Sequence, residues 1–382
     1  MVWMALVAAA CGLGTTAGDY YNRALHAETP EQRVELLDRA LKINPNHVPS
    51  LQERGAAYLR LGKEKLAFGD LARAAELSPE DFEMQTAAAE LAVKLKDQGQ
   101  AARFFRQAVA VEPANPGARM NLILMLIGLG RADEALPHAD YLVERYPNEV
   151  FPYAVRVEVL EWLDRYADAV RDATVLIKRR PDEYRHYLQR SSYYRGAGDF
   201  RSALADAQRA FQLQGDNALV YAALGCCHEG LGELDKALDD FATAAQLDTE
   251  RRYYTIWSCL ILRKQGKREQ AVQGAKEFVG TLKSEEWIGP VLKYLAGQMT
   301  EEEVLARAKH DDPETNRQQL CEAYYYLGAC ALIDGQVDKA EGLFKKTIEQ
   351  RVNNFYEHGF ALRDLKTIEK LRAKGGAAPE GK

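Results

Sequence analysis

Residues 48–81 read VPSLQERGAAYLRLGKEKLAFGDLARAAELSPED. Two helical patterns lie in this stretch, parted by Gly62 and closed by Pro79. Proline ends the second helix because it lacks an N–H and clashes with the turn before it. Ala67 and Ala74 sit on that second helix and are small enough to let the first helix approach closely. A step of 34 residues restores the same marks. The pairs Ala40…Pro45, Ala74…Pro79 and Ala108…Pro113 keep step, followed by Pro147 and Pro181. Ala67, Ala101, Ala135, Ala169, Ala203, Ala237 and Ala271 form a second column, and Gly62, Gly130, Gly198, Gly232 and Gly266 a third. A fixed period of this length predicts a repeat architecture. One helical hairpin is too small to bury its own faces, so stacked neighbours must share one continuous core.

In this phase, units start at residues 14, 48, 82, 116, 150, 184, 218 and 252, giving eight repeats over 14–285. The phase breaks over 286–320, where an inserted helix pair is expected. It resumes in EAYYYLGACALIDGQVDKAEGLFKKTI with Leu327, Gly328, Gly335, Ala340 and Phe344, a ninth repeat over 321–354. A closing helix is predicted over 355–373. The small, polar tail KGGAAPEGK, 374–382, is expected to be disordered.

These units resemble tetratricopeptide repeats. Residues 48–81 carry Leu51, Gly55, Tyr58, Gly62, Ala67, Ala74 and Pro79 at the family's positions. Residues 218–251 carry Tyr221, Leu224, Gly225, Gly232, Ala237, Phe241 and Ala244 there. The resemblance implies an all-α, right-handed solenoid of about nine helix-turn-helix repeats, with a two-helix insertion and a C-terminal closing helix. It also implies a concave groove lined by positions 2, 5, 9, 12 and 13 of each unit, binding peptides or proteins. Family members that bind Hsp70 or Hsp90 clamp a C-terminal carboxylate with basic residues and asparagine. Here Thr86, Glu90, Asn121, Phe151 and Val155 occupy the corresponding places, so that clamp is not expected.

The last quarter resembles the NlpI family of bacterial outer-membrane lipoproteins. The likeness lies in EEWIGPVLKYLAGQMTEEEVL, in YYYLG and in NNFYEHGFALRDL. It implies an envelope-anchored adaptor for peptidoglycan hydrolases or a periplasmic protease, and a tendency to form homodimers. The opening MVWMALVAAAC looks like the end of a lipoprotein signal, with Cys11 as the lipidated residue. The alternative for residues 1–13 is a short apolar helix capping the first repeat. The matching alternative for the whole chain is a cytoplasmic assembly or regulatory scaffold without a lipid anchor.

The 382 residues carry a net charge of −6, with both signs interspersed, which disfavours nucleic acid as a partner. No apolar run reaches the length of a membrane-spanning helix, so membrane contact is expected only through the lipid. Six cysteines are too few for a disulfide scaffold. In CCHE, 226–229, Cys226, Cys227 and His228 fan around one helix and cannot converge on a metal ion; packing explains them. No Walker, Rossmann, nucleophile-elbow or zinc-protease pattern occurs, so no catalytic residue, metal or cofactor is expected. Glu158 and Glu161 share a helix face, as exposed carboxylates routinely do. The cations of IKRR, 177–180, complement a negative helix end.

NLILMLIGLG, 121–130, remains to be explained. Leu122, Ile123 and Leu126 are assigned to the core between helices, and Met125 and Leu129 to packing on neighbouring hairpins. Met120, Leu124 and Ile127 fall at i, i+4 and i+7, one stripe facing the groove. Phe151 and Trp162 extend it into the fifth repeat, with Val93 nearby. Met120, Leu124, Ile127, Phe151 and Trp162 are the expected protein-binding residues, unless the superhelix or inserted helices already cover them. Elsewhere the groove is mixed, with Arg60, Lys94, Glu158, Arg185, Arg195, Glu229 and Arg263.

Overall fold

A computed structural model describes residues 15–249, 253–282, 286–353 and 355–373. Its described residues form twenty-one α-helices and no strand, an all-α fold of tetratricopeptide type. They fall into two compact units, one reaching to Leu142 and the other starting at Val143. No described helix is long and apolar enough to cross a membrane.

The first unit holds the hairpins α1 (Ala17–Leu25) with α2 (Pro30–Ile43), α3 (Val48–Arg60) with α4 (Glu64–Leu77), and α5 (Phe82–Lys94) with α6 (Gln98–Val111). It ends in α7 (Pro116–Gly128) and most of α8 (Ala132–Arg145). The second unit begins with α9 (Phe151–Trp162), α10 (Tyr166–Arg179), α11 (Tyr184–Ala197), α12 (Phe200–Leu213), α13 (Ala218–Gly230), α14 (Leu234–Leu247), α15 (Tyr253–Lys264) and α16 (Arg268–Val279). Two short helices follow, α17 (Gly289–Leu295) and α18 (Glu301–Arg307), inside the segment where the phase breaks. The ninth hairpin is α19 (Pro313–Ile333) with α20 (Val337–Glu349), its first helix starting upstream of residue 321. The closing helix is α21 (Tyr356–Ala373). Cys11 and residues 374–382 lie outside the described residues.

Local chemistry sets the helix ends. Asp81, Asp97, Asn115 and Asp199 each accept a backbone N–H of the first turn of α5, α6, α7 and α12, satisfying donors that the helix itself leaves open. Proline opens α2, α3 and α7, where its missing N–H costs nothing. The α1–α2 hairpin reverses without a left-handed residue, but in the later hairpins the reversal uses one. It recurs every 34 residues: Gly62, Lys96, Gly130, Asp164, Gly198, Gly232 and Gly266, then Gly335 in the ninth hairpin. The glycine column therefore continues through two positions where the sequence has a lysine and an aspartate. Those two side chains carry the strain that glycine avoids.

The alanine column is the packing counterpart: Ala67, Ala101, Ala135, Ala169, Ala203, Ala237 and Ala271 are all buried. Gly225 permits a similar approach, since a Cβ there would lie 2.7 Å from the Phe241 ring. Leu122, Ile123 and Leu126 are buried as expected. Leu129 is not: it caps α7 and stays exposed, while Met125 is half-buried. Cys226 and Cys227 enter two different core clusters, as neighbours on a helix must. His228 instead bonds Asp240, Nδ1 to Oδ2 at 2.6 Å.

A second periodic device binds the helices of single hairpins. Arg54 grips Asp70 with two hydrogen bonds, of 2.8 and 2.7 Å. Arg156–Asp172 and Arg190–Asp206 repeat the geometry at 2.7 Å for each bond. All three aspartates are buried. Such forked, charge-assisted pairs fix the register of one helix against the other; losing one partner leaves a buried charge uncompensated. In the third repeat Ala88 and Phe104 hold these two places, so the pair is exchanged for apolar contact.

The turn column can be tested directly. Lys96→Gly is expected to raise stability by roughly 0.5–1 kcal/mol, and Gly232→Ala to lower it by roughly 1–2 kcal/mol. Thermal melts followed by circular dichroism check both; equal melting of the two variants would contradict the strain assignment.

Candidate protein-binding groove

The groove reads most simply as one column, position 12 of each inner helix. Over the second to eighth repeats it holds Leu59, Val93 and Ile127 in the first unit and Glu161, Arg195, Glu229 and Arg263 in the second. The two units treat this column in opposite ways.

In the first unit, Leu59 on α3 is 42% exposed and Val93 on α5 is 41% exposed. Leu124, at position 9 on α7, is 47% exposed. Large aliphatic side chains open to water on three inner helices in succession are the unusual feature here, since scattered single ones are ordinary. Ile127 departs from the sequence expectation: at 8% exposure it is core, not contact surface. Met120 is half-buried. Arg60 and Lys94 follow Leu59 and Val93 in sequence, so the strip carries a basic margin; Lys94 Nζ reaches Glu64 at 2.8 Å.

In the second unit the column alternates in sign and is covered. Glu229 receives Arg363 of α21 at 3.0 Å and also pairs with Lys264. Burial alone would raise the Glu229 carboxyl, but these two cations pull it down to about 2. Arg263 donates to both oxygens of Asp334, at 3.0 and 2.8 Å, and to Cys330 Sγ. Helix α21 thus lies on the inner surface of its own unit. Its Phe360 packs on Trp257, ring centroids 6.1 Å apart. His358 Nε2 sits 3.3 Å from Asp164 Oδ1, and Asn353 Nδ2 donates to the Trp162 carbonyl at 2.8 Å. The two remaining expected residues are only partly free. Trp162 is half-buried beneath this contact, and Phe151 is half-buried against Tyr146, centroids 5.6 Å apart.

A second lock holds the start of α21. Glu322 accepts from Trp287 Nε1 at 2.6 Å and from Tyr253 Oη at 2.9 Å. Glu357 accepts from Tyr326 Oη at 2.5 Å, and Trp257 Nε1 donates to that same hydroxyl oxygen at 3.2 Å. Burial raises both carboxyls, and the charge of Glu357 raises Glu322 further. The tyrosine and tryptophan donors favour the charged carboxylates, but burial outweighs them, so both acids hold a proton more firmly than acids in water. Among the described residues no group of three or more His, Cys, Asp or Glu is placed to hold a metal ion.

The tetratricopeptide repeat family model matches residues 86–150 and 188–251. Among solved structures the chain is similar to MamA 41-end from Desulfovibrio magneticus, with 16% identity, TM-score 0.42, and coverage of 45% of this chain and 97% of that one. A tetratricopeptide repeat protein from Parabacteroides merdae shares 19% identity at TM-score 0.38, covering 65% and 100%. YrrB, described as a repeat protein with an unusual peptide-binding site, shares 17% at TM-score 0.40, covering 50% and 98%.

The Glu322–Glu357 lock has a definite pH signature. A carboxyl whose value in the folded chain lies above its ordinary 4.5 binds more protons folded than unfolded. Stability then falls as pH rises from that ordinary value towards the raised one. Glu322→Gln is expected to flatten this decline, melting higher than the native chain at pH near 8 while matching it near pH 4. Parallel pH-dependent melts of the two chains decide it.

Proposed function

We propose that the chain is a non-enzymatic interaction scaffold that holds an apolar segment of a partner protein against Leu59, Val93 and Leu124. The observation that carries this reading is the exposure of these three residues at groove positions of the first unit. Each aliphatic side chain that a partner buries is worth about 1.5–3 kcal/mol at full burial. Exposed Arg60 at the edge of the strip favours a segment that also carries an acidic residue, Lys94 being paired with Glu64. Met120 borders the strip on α7. The repeat scaffold itself supports a binding role, because its stacked hairpins present a long side-chain surface.

Val93→Glu and Leu124→Glu, made separately, are expected to abolish recovery of the specific partners captured by the native chain while leaving the helical circular dichroism spectrum intact. Folded variants that retain every partner would sink the proposal.

The setting we propose is the bacterial cell envelope, with the chain as an adaptor for peptidoglycan hydrolases or a periplasmic protease. The likeness of the last quarter to the NlpI family and the MVWMALVAAAC opening support it. Palmitate labelling and membrane fractionation test it: the native chain should label and sediment, and Cys11→Ser should do neither. Native chain recovered wholly in the soluble cytoplasm would leave the unanchored scaffold as the better reading.

A further inference from the structure

Two of the four charges in the second unit's groove column have no counter-charge, and both line one cavity of ≈ 180 Å³. Arg195 is only 7% exposed, yet its Nε and Nη1 have no hydrogen-bond partner among the described residues. The Tyr356 ring lies 5.2 Å from its guanidinium carbon, and that contact supplies no acceptor of the hydrogen-bonding kind. Glu161, one repeat earlier, receives only a long hydrogen bond from Tyr193 Oη, at 3.4 Å. The next two members of the column are served by side chains from elsewhere in the unit, Glu229 by Arg363 and Lys264 and Arg263 by Asp334. A buried guanidinium without acceptors is among the costlier arrangements a protein can hold. Phe200, Phe355 and Phe360 form an aromatic side of the cavity, Ser192 and Asn353 add polar groups, and the Arg363 guanidinium on the wall is already paired with Glu229 and Asp364.

We propose that this cavity binds a free amino acid with an apolar side chain, its α-carboxylate on Arg195 and its ammonium on Glu161. A zwitterion is the one small solute that satisfies both orphan groups together. A phosphate would serve Arg195 but set a second negative charge beside Glu161. A simple cation would leave Arg195 as it is. The aromatic wall takes the side chain, and a cavity of this size admits a single small molecule, not a folded partner. The site lies entirely within the second unit, whereas the residues of the partner strip belong to the first.

Isothermal titration of the intact chain with L-phenylalanine and L-leucine tests the proposal. At least one of them should bind saturably. L-phenylalaninamide and N-acetyl-L-phenylalanine, each lacking one of the two charges, should bind roughly tenfold or more weakly than the free amino acid. Arg195→Met and Glu161→Gln should weaken binding by a similar factor while melting no lower than the native chain, since each removes a buried group without a counter-charge. If either variant fails to fold, the comparison of the four ligands on the native chain still decides. Absence of binding by both amino acids up to millimolar concentration overturns the site. So does binding of the amide or the acetylated compound as tight as that of the parent, or displacement by inorganic phosphate at equal concentration.

Discussion

A helical hairpin of about thirty residues has more apolar surface than it can cover by folding on itself. Every larger feature of this chain follows from that shortage. The alanine column exists so that the two helices of a hairpin can close up; the next hairpin then covers the outer side. In the hairpins after the first, the left-handed residue at the reversal is the hinge on which this depends. Its conformation matters more than its identity, since Lys96 and Asp164 do the same geometric task as the glycines at a cost in strain. Where the forked pair is missing, as in the third repeat, Phe104 fills the place that a buried aspartate holds in the second, fifth and sixth.

The groove shows the same shortage from the other side. A repeat array always leaves one inner surface without a neighbour of its own kind. In the second unit the chain supplies the cover itself: α21 lays Arg363, His358 and Phe360 over inner helices that precede it in sequence by more than a hundred residues in some contacts. In the first unit, Leu59, Val93 and Leu124 keep their exposure. Charge in the covered column and aliphatic carbon in the open one match these two fates. Burying arginine or glutamate is costly without specific partners, whereas an aliphatic strip accepts any complementary apolar surface.

Most of the fold is legible in the sequence, because period and small-residue spacing are local facts that recur. The 34-residue phase locates the hairpins, and the buried alanines and left-handed turns fall where it puts them. The groove was legible only in part. Apolarity drew attention to NLILMLIGLG, but Ile127 proves to be core and Leu129 surface, since a helix that is apolar all round does not disclose which side faces its neighbours. Leu59 was reachable by reading down position 12, a comparison that the repeat itself licenses. Arg195 and Glu161 could not be recognised in sequence. Their meaning depends on α21, and nothing local announces that a helix starting at Tyr356 settles against Arg195 and Glu229. The forked Arg–Asp pairs escaped for a milder reason: a spacing of sixteen joins two helices, a distance that no single-helix pattern reports.

The position of α21 also imposes an order of events during synthesis. It leaves the ribosome after every helix that it covers. Until then, Glu229, Arg195 and the aromatic wall around Trp257 face water, and hairpins that are otherwise complete carry an unfinished surface. Repeats can nucleate and propagate one upon another as they emerge, but the second unit cannot reach its final state by that route alone. Its maturation is a separate docking step, joining segments far apart in the chain, and it is this interval, more than the folding of any hairpin, in which the nascent protein is open to capture by chaperones or by strangers.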